Sequence, residues 1–157
     1  MQRLQSRDQF QAVLAGKTVA RTRHFALHCA LLTQAESIPS SAPAATGTTP
    51  PHPNAGQTLQ NLFARHDHWL GALTPKRSAK RAVTRNAIKR QIYTVSPDLI
   101  LQSPPAAYVV RLSAAFDKNV FPSASSPALK VAVREELHQL FAKAGLLAVR
   151  PAGWTAC

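Results

Sequence analysis

The chain has 157 residues, a length typical of one domain, and its 45% of hydrophobic residues can form a core. Lys and Arg number 19 against 7 Asp and Glu, so the formal net charge of +12 disfavours carboxylate-rich sites and favours a polyanionic partner. The sequence shows no membrane-spanning run or secretory signal and only two cysteines, Cys29 and Cys157, so we expect a cytoplasmic protein without a membrane partner.

A short amphipathic helix is predicted near the start of the chain. Ser6 is a candidate N-cap, and Gln9 three residues later completes a capping box. Three apolar residues then recur at the i, i+3, i+4 spacing of a helical face: Phe10, Val13 and Leu14. Gly16 is a natural stop for this helix. Alternating apolar residues within 24–32 then indicate a half-buried β-strand.

A long polar segment follows the first predicted strand. Residues 33–63 contain one charged residue, Glu36, and five prolines, and they show no hydrophobic periodicity. Such a composition cannot bury enough apolar surface to offset the conformational entropy lost on ordering. We interpret the segment as a disordered insertion in a surface loop rather than an interdomain linker, because the residues before it are too few to fold alone. One domain is therefore predicted over 1–147, with a tail at 148–157.

The most basic part of the chain comes after a second predicted strand, at 69–74, which Pro75 ends. We name residues 75–93 the basic segment; no acid occurs anywhere from 68 to 97. It holds seven cations: Lys76, Arg77, Lys80, Arg81, Arg85, Lys89 and Arg90. A solvated helix normally interleaves both signs of charge, so this imbalance favours an external anion.

The basic segment is predicted to enter a helix that begins near Ala82 and ends at Pro97. Three apolar residues of this helix would face the core: Ile88, Ile92 and Val95. A third strand is predicted at 108–112, and Ser126 followed by Pro127 begins a final helix with a long apolar stripe, which Gly145 closes. This succession of elements predicts a compact α+β domain.

Seven cations in 19 residues without an acid favour binding to the phosphates of RNA or DNA, although the same charge could also form a solvated face that keeps the protein soluble. Composition does not choose between the two nucleic acids, but a DNA reader would need a short helix before the basic one, and none is predicted. A structural RNA-binding protein of ribosomal type would share these features. A self-sufficient metal-dependent nuclease would need clustered carboxylates, and of the seven acids only Glu135 and Glu136 adjoin.

Residues 75–90 resemble the signature of the protein component of bacterial ribonuclease P. That family typically has a Lys-Lys or Lys-Arg pair, a basic spacer and then Arg-Asn-Arg-Ile-Lys-Arg. Here Lys76-Arg77 precedes Arg85-Asn86-Ala87-Ile88-Lys89-Arg90. The flanking helices and strands fall in the family's order, whereas Ala87 departs from the usual Arg and the insertion is longer than usual.

The resemblance implies an α+β single-domain sandwich of order α-β-β-β-α-β-α, in which the basic helix makes an unusual left-handed crossover between parallel strands. It implies a subunit that binds the ribonuclease P RNA in a 1:1 complex and assists removal of the 5′ leader from precursor tRNA. The chemistry of that endoribonuclease, hydrolysis of one phosphodiester, would belong to the RNA and its Mg²⁺ ions. The protein alone would supply no catalytic side chain and bind no cofactor.

Two sites follow from the resemblance. The site for the catalytic RNA comprises Lys76, Arg77, Lys80, Arg81, Arg85, Asn86, Lys89 and Arg90. The site for the single-stranded leader is a cleft between the first helix and the sheet, where stacking and charge hold a strand; its candidates are Phe10, Leu14, Lys17 and His28. Ordinary core packing is the competing interpretation of Phe10. His66-Asp67-His68 could place two imidazoles on one strand face, but plain solvated surface is the simpler interpretation, so we predict no metal site.

Overall fold

The computed structural model describes residues 1–32, 62–63, 67–101, 103, 105–123 and 126–146. In chain order its elements are β1 (Gln2–Arg3), α1 (Arg7–Ala15), β2 (Lys17–Arg21), β3 (Phe25–Leu31), β4 (Trp69–Leu73), α2 (Ala82–Ile100), β5 (Ala106–Leu112) and α3 (Pro127–Lys143). This succession confirms the α+β class and the order α-β-β-β-α-β-α, to which the structure adds the short β1. The predicted tail, 148–157, and residues 33–61 of the predicted insertion lie outside the described residues.

The strands form one sheet in the order β1-β4-β5-β3-β2. β4 runs parallel to both of its neighbours, whereas β3 runs antiparallel to β5 and to β2. Because α2 joins the parallel neighbours β4 and β5, it is a crossover helix as the resemblance implies; the left hand of that crossover stays a prediction. Sequence reasoning did not locate β1 or β2, because these short polar strands are defined by their pairing with β4 and β3 rather than by a local pattern.

Alternation along the central strands sends side chains into two apolar layers. Phe25, Leu27, Tyr108 and Val110 lie on one face, where they pack with buried residues of α2 and α3 in the larger core. On the opposite face the same strands contact α1, whose Val13 is fully buried in a smaller core. Among the described elements, α1 is the one helix on that second face. No described helix is long and apolar enough to cross a membrane.

The predicted starts of α1 and α3 are confirmed by their caps. The Ser6 hydroxyl accepts a hydrogen bond from the Gln9 N–H, and the Gln9 side-chain oxygen accepts one from the Ser6 N–H, which completes the capping box. The Ser126 hydroxyl accepts a bond from the Leu129 N–H, with Pro127 as the first helical residue. Both caps satisfy backbone donors that would otherwise lack a partner at the helix start.

Glycines end the same two helices for different reasons. Gly145 follows α3 with a φ of 71°, in the left-handed region that favours glycine. Gly16 has an ordinary φ of −70°, but a Cβ there would come within 2.6 Å of the carbonyl oxygen of Cys29. Close approach of two backbones, rather than a left-handed turn, therefore requires glycine at the end of α1.

The prediction that Pro97 ends the basic helix is wrong. α2 continues to Ile100, and the N–H of Leu101 donates to the carbonyl of Pro97 at 3.1 Å. Leu99 and Ile100, beyond the proline, are buried in the larger core. Burying two such side chains contributes about 1.5–3 kcal/mol each, which offsets the roughly 3 kcal/mol cost of a proline inside a helix.

The predicted insertion also extends too far at its end, since Leu62 and Phe63 belong to the folded domain. Phe63 is buried in the smaller core, and its ring meets that of Trp69 edge-on with centroids 5.4 Å apart. The Leu62 carbonyl accepts a hydrogen bond from the Gln9 side-chain amide at 2.9 Å. This apolar pair follows a long polar stretch directly, so composition alone did not separate the two.

A hydrogen-bonded pair connects the start of β3 to α3. The Glu136 carboxylate accepts one bond from the His24 backbone N–H and another from the ring Nδ1, the latter at 2.7 Å. The imidazole stacks on Phe116, with ring centroids 4.1 Å apart. Burial raises the pKa of Glu136, but hydrogen bonds from His24 and Thr22 together with the charge of His24 outweigh it, and the pKa lies below its ordinary 4.5. We name His24, Phe116 and Glu136 the β3–α3 corner.

Candidate nucleic-acid interface

The basic segment forms a tight loop followed by the first turns of α2. β4 ends at Leu73, and the N–H groups of Ser78 and Ala79 both donate to the carbonyl of Pro75 at 3.1 Å. α2 begins at Ala82, as the sequence predicts. Four of the seven cations lie in the loop and three on the helix: Lys76, Arg77, Lys80 and Arg81 in the loop, and Arg85, Lys89 and Arg90 on the helix.

The cations of the basic segment have no acidic partner among the described residues. Six of the seven are exposed and Arg85 is half-buried, while Asn86 is exposed beside them. Within the described ranges, no carboxylate lies within 4.0 Å of any of these cations, and the ion pairs that do form involve Asp67 and Glu136 elsewhere. The like-charge repulsion expected from the sequence is therefore present in the folded chain, and an external anion would relieve it.

Arg85 braces the loop as well as carrying charge. Its Nη1 donates to the carbonyl oxygens of Ala79 at 2.9 Å and Lys80 at 2.8 Å. The guanidinium thereby fixes the loop against the first turn of α2. The sequence predicts Arg85 only as an RNA contact, because the bracing depends on a loop conformation that no local pattern reveals. A guanidinium has five N–H donors, so this role leaves others for a ligand.

The start of α2 adds to the positive potential of the loop. Arg81 occupies the N-cap position, its side chain makes no capping bond, and the first turn contains no acid. Ser, Thr, Asn or Asp is preferred at that position because it accepts bonds from the free N–H groups. A helix start carries the equivalent of about half a positive charge. Backbone and side chains therefore attract the same sign of ligand here.

The predicted leader cleft lies on the α1 side of the sheet. Phe10 and Leu14 are half-buried and pack in the smaller core. The Phe10 ring rests directly on the backbone of Gly71, where an added Cβ would come within 2.6 Å of the ring's Cε1. Lys17 is exposed at the start of β2. The structure thus gives Phe10 and Leu14 a packing role, and their contact with a leader stays a prediction.

Two arginines that sequence reasoning missed lie near His28, which is only 7% exposed. Strand register places Arg21 and Arg111 on either side of Ala26, on the α1 face. One pleat away, the His28 Nδ1 lies 3.2 Å from the Thr18 hydroxyl. Burial, followed by the charges of Arg111 and Arg21, lowers the pKa of His28 below 6.5, and this favours the neutral ring. We name Arg21, His28 and Arg111 the sheet-face cluster.

A signal for Arg111 was available in the sequence. It lies between Val110 and Leu112, which both face the larger core, so strand alternation alone places Arg111 on the other face. Its Nε is buried and has no hydrogen-bond partner in the described part of the chain. Arg21 has no comparable signal, because the irregularity between Thr18 and Ala20 shifts the pairing of β2.

The possible metal pair at His66-Asp67-His68 falls partly outside the described residues, which lack His66. The His68 Nε2 donates to the carbonyl of Ser103 at 2.7 Å. Asp67 accepts the His68 backbone N–H at 2.7 Å, and this bond is the main cause of a lowered pKa at Asp67. No group of three or more metal-binding side chains occurs among the described residues. The two described members of this motif thus have hydrogen bonds within the fold.

Comparison with known proteins identifies the family. The family model described as Ribonuclease P matches residues 1–145. The chain belongs to the family of the ribonuclease P protein component. The ribonuclease P protein component of Ralstonia pickettii (strain 12J) is 33% identical over 142 residues, which cover 88% of this chain and 76% of the relative. That of Bordetella petrii is 36% identical over 110 residues, 70% of this chain and 68% of the relative.

A solved structure agrees with this family at the level of fold. The ribonuclease P protein of Staphylococcus aureus superimposes with a TM-score of 0.57 over 93% of this chain and 97% of its own, at 15% identity. At that identity the likeness concerns the fold alone. The resemblance first noted in the basic segment is confirmed by the match over residues 1–145, and with it the assignment of the chain to ribonuclease P and tRNA processing.

Proposed function

We propose that this protein is the protein subunit of a ribonuclease P ribonucleoprotein and that its basic segment binds the catalytic RNA in a 1:1 complex. One observation carries the proposal: six of the seven cations are exposed, and none has a carboxylate partner in the described chain. Phosphates of a folded RNA would supply the missing negative charge. If about six of these cations contact phosphates, log K should fall against log salt with a slope of about −4 to −5.

The 5′ leader of precursor tRNA is the second proposed ligand, bound on the α1 side of the sheet. The sheet-face cluster supports this, because two arginines flank the small Ala26 there and the buried Nε of Arg111 has no acceptor among the described residues. Phe10 is half-buried on the same side of the sheet, and we propose its ring as the surface on which a base of the leader stacks. A single strand can present bases to an aromatic ring and phosphates to cations at the same time.

Hydrolysis of the phosphodiester is proposed to rest with the RNA and its Mg²⁺ ions. Metal-assisted hydrolysis by a protein requires carboxylates that converge on the ions. Here both oxygens of Glu136 accept bonds from His24, and Asp67 accepts the N–H of His68. These carboxylates hold parts of the fold together. The protein's own residues would bind the catalytic RNA and the leader, reduce the repulsion between their phosphates and orient the precursor.

Reconstitution tests the proposal as a whole. Purified protein is mixed with ribonuclease P RNA, and cleavage of precursor tRNA is measured at low Mg²⁺. We expect the protein to accelerate leader removal and to cleave nothing by itself. Binding without any change in the cleavage rate would instead identify a structural RNA-binding protein, and cleavage without RNA would identify a self-sufficient nuclease.

The leader site has its own test, which compares precursor with mature tRNA. Arg111→Met keeps the aliphatic stem but removes the charge, so the reconstituted complex should bind precursor about tenfold more weakly, the effect of one lost charge-assisted hydrogen bond, with little change for mature tRNA. Lys130→Met is the matched control, because Lys130 is exposed on α3, across the sheet from α1.

Phe10→Ala tests the aromatic group of the same site. It should weaken the binding of precursor tRNA more than the binding of mature tRNA. An equal loss of affinity for both tRNAs would show that Phe10 is a packing residue only.

A further inference from the structure

A pocket of about 490 Å³ lies between the loop of the basic segment and the connection from β5 to α3. Its floor is apolar: Ile88 from α2 and Leu129 from α3 are almost fully buried beneath it. Phe116 and Phe121, from the connection, also line it. The volume falls within the roughly 300–1,000 Å³ of sites that bind small organic groups. The two phenylalanines lie outside the basic segment, so the charge pattern of the sequence does not reveal the pocket.

The aromatic lining is held in a fixed arrangement. Phe116 is stacked against His24 with planes only 16° apart, and His24 is in turn bonded to Glu136. Phe121 meets Phe116 edge-on, with centroids 5.8 Å apart and planes at 82°. Both phenylalanines are half-buried, so part of their surface remains in water. Covering that surface with another flat ring would be favourable, and the arrangement is already in place before a ligand arrives.

The rim of the pocket is cationic. Arg77, Lys80 and Arg81 line it from the loop, Lys118 lines it from the connection, and all four are exposed. None of the described residues that line the pocket carries a carboxylate; Asp117, next to Lys118 in the chain, accepts the N–H of Asn119 at 2.8 Å. A ligand that fits therefore combines a flat apolar ring with negative charge.

We propose that this pocket receives one unstacked nucleotide of the ribonuclease P RNA, with the base against Phe116 and Phe121 and its phosphate among the rim cations. The inference rests on the proposed function, since it assigns a contact to the same RNA. A paired helix presents phosphates but keeps its bases stacked inside, so it would leave the apolar floor uncovered. An unpaired nucleotide matches both the floor and the rim.

Filling the pocket without removing charge tests the proposal. Ala115 is exposed and lines the pocket, so Ala115→Phe should occupy the space of the base. Phe121→Leu keeps an apolar lining but removes an aromatic ring. Ala142→Phe, at an exposed site on α3 that does not line the pocket, is the matched control. Each variant is checked for a native melting transition, and its affinity is measured for ribonuclease P RNA and for a fully paired RNA duplex.

We expect Ala115→Phe to bind ribonuclease P RNA about tenfold more weakly, the value of one stacked base, with an unchanged salt slope because every cation remains. Phe121→Leu should lose affinity in the same direction, Ala142→Phe should match wild type, and binding to the duplex should be unchanged. If wild type binds the RNA but Ala115→Phe and Phe121→Leu bind it equally well, the pocket assignment is wrong while the proposed function stands. An equal loss for the duplex would also overturn it, and a wild type that does not bind the RNA at all would refute the proposed function itself. Should Ala115→Phe fail to fold, Phe121→Leu decides.

Discussion

The β3–α3 corner and the basic segment use charged side chains in opposite ways. In the corner, His24 and Glu136 are only 14% and 12% exposed, and they lie 2.7 Å apart. In the basic segment, six cations are exposed, and none of the seven has a carboxylate within reach in the described chain. A sheltered, hydrogen-bonded pair contributes to folding, whereas exposed like charges contribute little to it and oppose one another. Pairing and burial thus separate the charges that serve the fold from those available for recognition.

The largest expected effect is the loss of stability when the corner is broken. Glu136→Ala should lower the free energy of unfolding by about 1.5–3 kcal/mol, the range for hydrogen bonds to charged groups. The neighbouring Glu135 is exposed, and Glu135→Ala should change stability by no more than about 0.5 kcal/mol. Urea denaturation of the two variants measures the difference. Equal losses at both positions would show that the pairing with His24 adds nothing.

The complementary change should alter binding without altering stability. Lys89→Ala with Arg90→Ala should weaken affinity for ribonuclease P RNA about tenfold at physiological salt and make the salt slope shallower by about 2, one for each lost phosphate contact. Lys130→Ala with Lys143→Ala removes the same charge from exposed positions on α3. Filter binding over a salt series gives both quantities. If the α3 pair lowers affinity as much, net charge rather than the basic segment attracts the RNA.

The smallest expected effect is a dependence of stability on pH with two separate origins. His28 has a pKa below 6.5 in the folded chain, so the unfolded chain binds its proton first and stability should decline as the pH falls below about 6.5. Glu136 has a pKa below 4.5, so its contribution is present above pH 4.5 and is lost as the pH falls further, through the folded value. His28→Gln should remove the first decline and Glu136→Gln should reduce the second. Unfolding free energies at a series of pH values test this, and an unchanged profile in His28→Gln would assign the first decline to another group.

Local signals predicted the elements whose cause is local. The start of α1 was predicted from Ser6 and Gln9, and the start of α3 from Ser126 and Pro127. Both caps are present in the structure. The basic segment could also be predicted from the sequence, because the absence of nearby acids is a property of the sequence itself. Exposure of its cations follows, since charges without partners are not buried.

What the sequence did not reveal depends on contacts between distant residues. α2 continues past Pro97 because burial of Ile100 in the larger core stabilises its last turn. The end of the predicted insertion belongs to the domain because Phe63 packs against Trp69. The sheet-face cluster exists because β2 and β5 flank β3, so Arg21 and Arg111 lie on the same face although they are far apart in the sequence. Strand neighbours of this kind are set by the topology and not by any window of residues.

Gly71 controls the spacing between α1 and the sheet. Because residue 71 has only a hydrogen atom where other residues have a Cβ, the Phe10 ring can lie directly against the strand backbone. A Cβ there would also come within 2.7 Å of a methyl group of Leu4, so any larger residue would force the Phe10 and Leu4 side chains to shift without removing a single arginine or lysine. The packing of α1 against the sheet and the number of cations beside it are therefore separate properties of this protein, because a single methyl group at position 71 would disturb the packing and remove no charge.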